Sequence, residues 1–311
     1  MRKLHLVLAG ILAVAACGDN TTTADMTAPL PDLAVPVTPP DMAVPVTPPD
    51  LTPPPPDLTP PPPDMTLVCP NTSNPGPDGG TPATNWACVG HYTAPVPAHA
   101  TYNFPLHVYD YLAKNGIANA TVKVCKLTDA MCTTPIAAAV KTDACGNVML
   151  TGVPSSATGL AAYIEIDADP AKYPVVLLYP QTVAPDLAYA SGATIGAPLF
   201  SSSIFGVVTS VLNVTPDPAK GHVAFAADDC AQNAGPMVTV ASTGGGTTYY
   251  VAGTLPTKSA TATDASGAGF ITNITAGSAT LTATEGGKAF GTETVTIRAG
   301  AITSTNITPN M

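Results

Sequence analysis

Two tandem β-sandwiches behind a long extended leader are the fold class that this 311-residue sequence predicts. Three observations point there. Apolar and polar residues alternate over short runs, separated by turn signals about every ten residues. The pattern Thr142-Asp143-Ala144-Cys145-Gly146 returns as Thr263-Asp264-Ala265-Ser266-Gly267, identical at four of five positions, with an aliphatic residue (Val153, Ile274) seven after each glycine. Charged residues make up only 10% of the chain, too few for the Glu-, Lys- and Arg-rich surfaces of long helices.

The leader comes first. Arg2 and Lys3 precede an apolar run, Leu4 to Ala16, broken by His5 and Gly10. It is too short for a stable transmembrane helix and fits a secretory signal segment. The run closes on Val14-Ala15-Ala16-Cys17, which resembles the bacterial lipobox, an aliphatic and two small residues before the cysteine that receives lipid. The resemblance implies a diacylglycerol on Cys17, an acylated new N-terminus and a multi-chain anchor. Gly18 follows Cys17, and Asp19 comes one later, which by analogy favours the outer membrane over the inner.

From Asp32 to Asp64 the chain repeats. Asp32, Asp41 and Asp50 are nine apart, and Asp57 and Asp64 follow at intervals of seven, all embedded in proline. Proline at this density removes backbone donors and fixes φ, so helix and sheet are excluded and a disordered, polyproline-like spacer is expected. Residues 18–68 would reach about 150 Å at most. No Lys or Arg lies between Cys17 and Ala100, which excludes the basic Pro-rich ligands of SH3-like domains.

Formal charge is −10, and beyond residue 100 there are 13 acidic and 9 basic residues. With no basic patch, nucleic acid is excluded as a partner. Apart from Cys17, the cysteines are Cys69, Cys88, Cys125, Cys132, Cys145 and Cys230, an even set in an exported chain, and disulfides are expected. Six cysteines allow fifteen pairings. Proximity suggests Cys125 with Cys132 and Cys69 with Cys88, leaving Cys145 with Cys230. A zinc site would call for C-x2-C pairs, which are missing.

Order is expected from Trp86-Ala87-Cys88, with Trp86 as a core plug beside a disulfide. Strands follow around Leu106 and Val108, Val122 and Val124, Ile136 to Val140, Val148 and Leu150, Leu160 to Ile166, and Val175 to Leu178. Pro180 to Pro198 reads as loop, and Ser201 to Leu212 as a short helix capped by Ser202 or Ser203. The second half repeats the pattern, with Val223, Phe225 and Ala227 on one face and late strands at Val295 to Ile297 and Ile302 to Ile307. The resulting division is a signal peptide (1–16), a lipidated cysteine and tether (17–68), a lead-in segment (69–101), a first sandwich (102–180), a connector with a helix (181–219) and a second sandwich (220–311).

The Thr-Asp-Ala-x-Gly turn between strands, followed by Val153-Pro154 or Ala276-Gly277 before another strand, resembles the carboxypeptidase regulatory-like domain. The resemblance implies an all-β, transthyretin-like (prealbumin-like) sandwich, grouped with carbohydrate-binding-like and CnaB-like modules, over 102–180 and 220–311. The whole layout is similar to lipoproteins of myxobacteria and their relatives. Domains of this family are accessory and carry no catalytic motif to transfer.

The chemistry-bearing residues fit that reading. His91, His99, His107 and His222 match no metal motif, and Asp217, Asp228 and Asp229 sit in no calcium loop. Gly244-Gly245-Gly246 lacks the Lys-Ser/Thr of a phosphate loop. Isopeptide partners, Lys123 or Lys220 with Glu165 or Glu293, have no diagnostic motif. No catalytic residue, cofactor or metal is assigned. The expected role is a non-catalytic envelope lipoprotein, held to the membrane through its N-terminus and meeting an envelope protein or a glycan. A glycan site would need a platform such as Tyr92, Tyr249 and Tyr250 on one flat face.

Overall fold

A computed structural model describes residue 69 and residues 84–89, 99–156, 159–180, 194–231, 233–253 and 255–309. The signal segment, Cys17, the tether, His91 and Tyr92 lie outside the described residues. The strands are β1 (Thr101–Asp110), β2 (Thr121–Lys126), β3 (Val140–Lys141), β4 (Asn147–Ser156), β5 (Gly159–Leu160), β6 (Ala162–Asp167), β7 (Val176–Tyr179) and β8 (Ile195–Leu199). Helix α1 (Ser202–Val211) follows, then β9 (Lys220–Ala227), β10 (Val238–Ser242), β11 (Thr247–Ala252), β12 (Leu255–Thr257), β13 (Ala268–Thr275), β14 (Gly277–Glu285), β15 (Lys288–Ile297) and β16 (Ile302–Ile307).

The all-β expectation holds, and the strand pairing is that of two sandwiches built on one plan. In the first, β1 pairs antiparallel with β4 and parallel with β8, and this layer faces β2-β6-β7. In the second, β9 pairs antiparallel with β13 and parallel with β16, and this layer faces β10-β14-β15. Each interior is filled by inward alternate residues: Phe104, Leu106, Val108, Val122, Ile164 and Ile166 in the first, and Val223, Phe225, Ile271, Leu281 and Val295 in the second.

The repeated turns do the same work twice. Thr142 Oγ1 donates to Ile117 O (2.7 Å) and accepts from Ala120 N (2.9 Å); Thr263 Oγ1 donates to Gly235 O (2.7 Å) and accepts from Val238 N (2.9 Å). The Asp143 and Asp264 carboxylates accept the amides two residues on, Cys145 N and Ser266 N, each at 2.9 Å. Gly146 and Gly267 take φ of +80° and +66°, and their carbonyls accept Val108 N and Ala227 N at 2.8 Å. The parallel extends beyond the motif. Gly152 and Asn273, each six after the turn glycine, both have positive φ, as do Asn119 and Met237 just before Ala120 and Val238.

The two sandwiches are joined through backbone. β16 lies between β9 and β7 and is parallel to both, with Ile302 opposite Val176 and Thr305 opposite Tyr179. One nine-stranded sheet, β12-β11-β13-β9-β16-β7-β6-β2-β3, therefore runs through both halves. Helix α1 covers part of this sheet, setting Phe205 against His222 and Phe270.

Three expectations are corrected. The stretch 181–219, read as connector, contains β8, whose Gly196 and Pro198 hide a buried parallel strand from an alternation test. The helix is capped by Ser201, whose Oγ accepts Ile204 N (3.4 Å), rather than by Ser202 or Ser203. Of the proposed cysteine pairs only Cys125–Cys132 is present; the others are Cys69–Cys145 and Cys88–Cys230. Sequence proximity misled because the lead-in segment is fastened at two separate points, at Cys69 to the turn of the first sandwich and at Cys88 just beyond β9 of the second. Asp229 supports the second fastening by accepting Asn85 N (2.8 Å), and Trp86 packs over Gly235, consistent with a core plug.

Candidate functional site

The seam between the sandwiches holds a cluster of charged and polar side chains bonded to one another. On β6, Ala162, Ile164 and Ile166 point into the first core, so Tyr163 and Glu165 point to the opposite face. Across the β2–β6 ladder Lys123 stands opposite Glu165, and Cys125 opposite Tyr163. An alternating strand of this kind reads as solvent-facing on its polar side. Here that side is covered, and Glu165 is only 4% exposed.

The covering group is Arg298, one residue past β15. Its guanidinium donates to Glu165 Oε2 (2.5 Å), Ala130 O (2.9 Å) and Tyr163 Oη (3.3 Å). Lys123 Nζ donates to Glu165 Oε1 (2.7 Å). Each carboxylate oxygen thus has its own cation, the arrangement that offsets the cost of burying charge. Tyr163 Oη donates to Asp129 O (2.6 Å), and burial pushes that phenol up to about 12. Asp129 and Ala130 lie in the loop closed by Cys125–Cys132, so the disulfide shapes the receptor for Arg298. Tyr179 stacks on Tyr163 (5.5 Å) and accepts Thr296 N (2.7 Å), a second polar link from β7 to β15.

The Cys125 and Cys132 sulfurs and a Glu165 oxygen lie within 4.8 Å of one another. Both sulfurs are spent in the disulfide and Glu165 is held by two cations, so this donor set fits no metal ion. The isopeptide partners are ion pairs or apart: Lys123 with Glu165, and Lys220 with Asp217 at 3.9 Å. Glu293 faces the second core, and burial pushes its carboxyl up to about 7.

The remaining candidates are dispersed. His99 meets Tyr102, His107 bonds Asn147 (3.0 Å), and His222 is wedged between Phe205 and Phe270. Asp229 is occupied by backbone amides, Asp228 accepts Asn306 Nδ2 (2.9 Å), and Asp217 accepts Ala219 N (2.9 Å). Tyr250 is buried with its hydroxyl on Val240, and Tyr249 is half-buried. Among the aromatic rings whose burial is described none is exposed, so no flat aromatic platform is formed by them. A 40 Å³ apolar cavity under α1, lined by Tyr111, Phe200, Phe205, Phe270 and Ile302, is far below the size of a small-molecule site.

Burial holds His222 down at about 4, with an expected consequence for stability. The unfolded chain takes up a proton near pH 6.5 that the folded chain refuses until about pH 4. Stability is therefore fully present above pH 6.5 and lost on acidification towards pH 4, by on the order of 2 kcal/mol. In urea titrations His222→Phe should lose less stability between pH 7 and pH 4.5 than the parent; equal losses would contradict the assignment.

Fold and seam together define a duplicated β-sandwich protein. No family model and no curated protein matches this chain. Solved structures that align with it include the shaft pilin SpaA from Lactobacillus rhamnosus GG (11% identity, 68% of this chain and 97% of that one, TM-score 0.22). Others are the minor pilin of Streptococcus agalactiae (11%, 68% and 96%, TM-score 0.20) and the TIE protein of Bacillus anthracis (13%, 68% and 34%, TM-score 0.21). Scores at this level carry no argument, and the sandwich architecture rests on the chain's own strand pairing.

Proposed function

We propose that this chain is a non-catalytic envelope lipoprotein whose paired sandwiches serve structural or adhesive contacts at the end of a proline-rich leash. The observation that carries the reading is the seam: a shared nine-stranded sheet, a buried Glu165 carboxylate held between the half-buried Lys123 and Arg298, and two disulfides fastening the lead-in segment to both sandwiches. Such bracing suits a head that must keep its shape under load, and the polar side chains gathered at the seam are spent on one another. The lipobox-like Val14-Ala15-Ala16-Cys17 and the spacer behind it support an outer-membrane anchor. Among the described residues, the placement of the aromatic rings gives the glycan-binding alternative no support.

Membrane fractionation tests the anchor. The parent should sediment with membranes, and Cys17→Ala should move to the soluble fraction. A Cys17→Ala protein that stays with the membranes would overturn the lipid-anchor reading.

A further inference from the structure

Sheet edges invite strand addition, and this chain closes most of its own. On β10, Val238 N is taken by Thr263 Oγ1, Val240 N by Tyr250 Oη, and Val240 O accepts Thr248 Oγ1 (3.1 Å). β3 and β5 have two residues each, and β12 and β8 carry Pro256 and Pro198. β15 differs. Thr296 N and O turn away from β14 and are taken by Tyr179 Oη and Thr303 Oγ1. By the alternation of an antiparallel ladder, the N–H and C=O of Thr294 and Thr292 point the same way. Both threonines are exposed, and these backbone groups have no partner among the described residues.

Between them stands Glu293. It is opposite Leu281 and shares the inward row of Val295 and Ile297, so a carboxyl points into the sheet interior beside the open edge. An inward charge on an edge strand is a known way of keeping that edge unpaired. We propose that the Thr292–Thr294 edge of β15 is a strand-addition site for a second copy of this chain, gated by the charge of Glu293.

The register argues for a second copy. The two open residues are placed symmetrically about Glu293, so a two-fold axis there sets Thr292 of each copy opposite Thr294 of the other and satisfies all the open groups. The outward row around it, Thr280, Thr282, Thr284, Thr292 and Thr294, is uncharged and opposes no approach. The same axis brings the two Glu293 side chains face to face at about 5 Å between Cβ atoms, where like charges repel. Neutralising them releases the edge. Around this carboxyl, β14 presents Leu281, β16 presents Ile307 beside Gly291 of the same inward row, and the nearby titratable groups are Tyr179 of β7 and, beside that tyrosine, Arg298.

Sedimentation velocity on the full-length chain in detergent tests this. At pH 8 the parent is expected to be monomeric, and Glu293→Gln to dimerise with at least about tenfold tighter association. At pH 6 the parent should move towards the dimer. Adding Thr294→Pro to Glu293→Gln should restore the monomer, because that N–H serves only the added strand. Thr292→Pro does the same if the first proline variant fails to fold. A Glu293→Gln protein no more associated than the parent at pH 8, or a dimer indifferent to both prolines, would overturn the proposal.

Discussion

Glu165→Leu should lower the unfolding free energy by about 3 kcal/mol, because it strands two cations at a covered seam. Lys123 and Arg298 are directed at the Glu165 carboxylate at 2.7 and 2.5 Å, and their side chains are 29% and 15% exposed. Neither can regain full hydration without leaving its place, and Arg298 would also give up its bond to Ala130 O. The cost sits in the unpaired charges more than in the lost attraction, which gives a second expectation. The triple variant Lys123→Met, Glu165→Leu, Arg298→Met should recover most of the loss, since apolar residues of similar volume replace buried ion pairs at little cost. Urea unfolding at pH 7 measures both. A loss below about 1 kcal/mol for Glu165→Leu would show the cluster to be effectively solvated.

Gly146→Ala and Gly267→Ala should each cost about 3 kcal/mol or more, and by similar amounts. A Cβ added at Gly146 would stand 2.2 Å from Val108 O, and one at Gly267 2.4 Å from Ala227 O. Both obstacles are backbone, both belong to the strand that accepts the turn, and the φ values of +80° and +66° add left-handed strain. Gly152 is the control. Its φ is +67° but open space surrounds it, and Asn273 fills the equivalent position in the second sandwich. Gly152→Asn should therefore cost under about 1 kcal/mol. Thermal melts of the three variants compare these directly; a near-neutral Gly146→Ala would deny the shared turn geometry.

The duplicated turn was legible because its chemistry is local. Asp bonding two residues on and Gly at positive φ are demands of a few atoms, so they survive in sequence as Thr-Asp-Ala-x-Gly. The strands with one open face were legible for the same reason. What could not be read depends on distant covering. β16 is Ile-Thr-Ser-Thr-Asn-Ile, yet Thr303, Ser304 and Thr305 are each 1% exposed because the strand is clasped between β7 and β9. Tyr163 and Glu165 looked like a solvent face until the second sandwich supplied Arg298. The Asn119–Met237 and Gly152–Asn273 equivalences carry one backbone conformation through different side chains, so no residue match betrays them. The disulfide partners of Cys69 and Cys88 lie in different sandwiches, which sequence separations of 76 and 142 do not encode.

The central claim is that the seam makes the two sandwiches one mechanical body. Differential scanning calorimetry of the full-length chain, with disulfides intact, tests it most directly. One cooperative transition is expected, with calorimetric and van't Hoff enthalpies in agreement, because β16 is bonded to both β9 and β7, so that unfolding either sandwich strips it of one of its two backbone partners. Two resolved transitions, one for each sandwich, would contradict it.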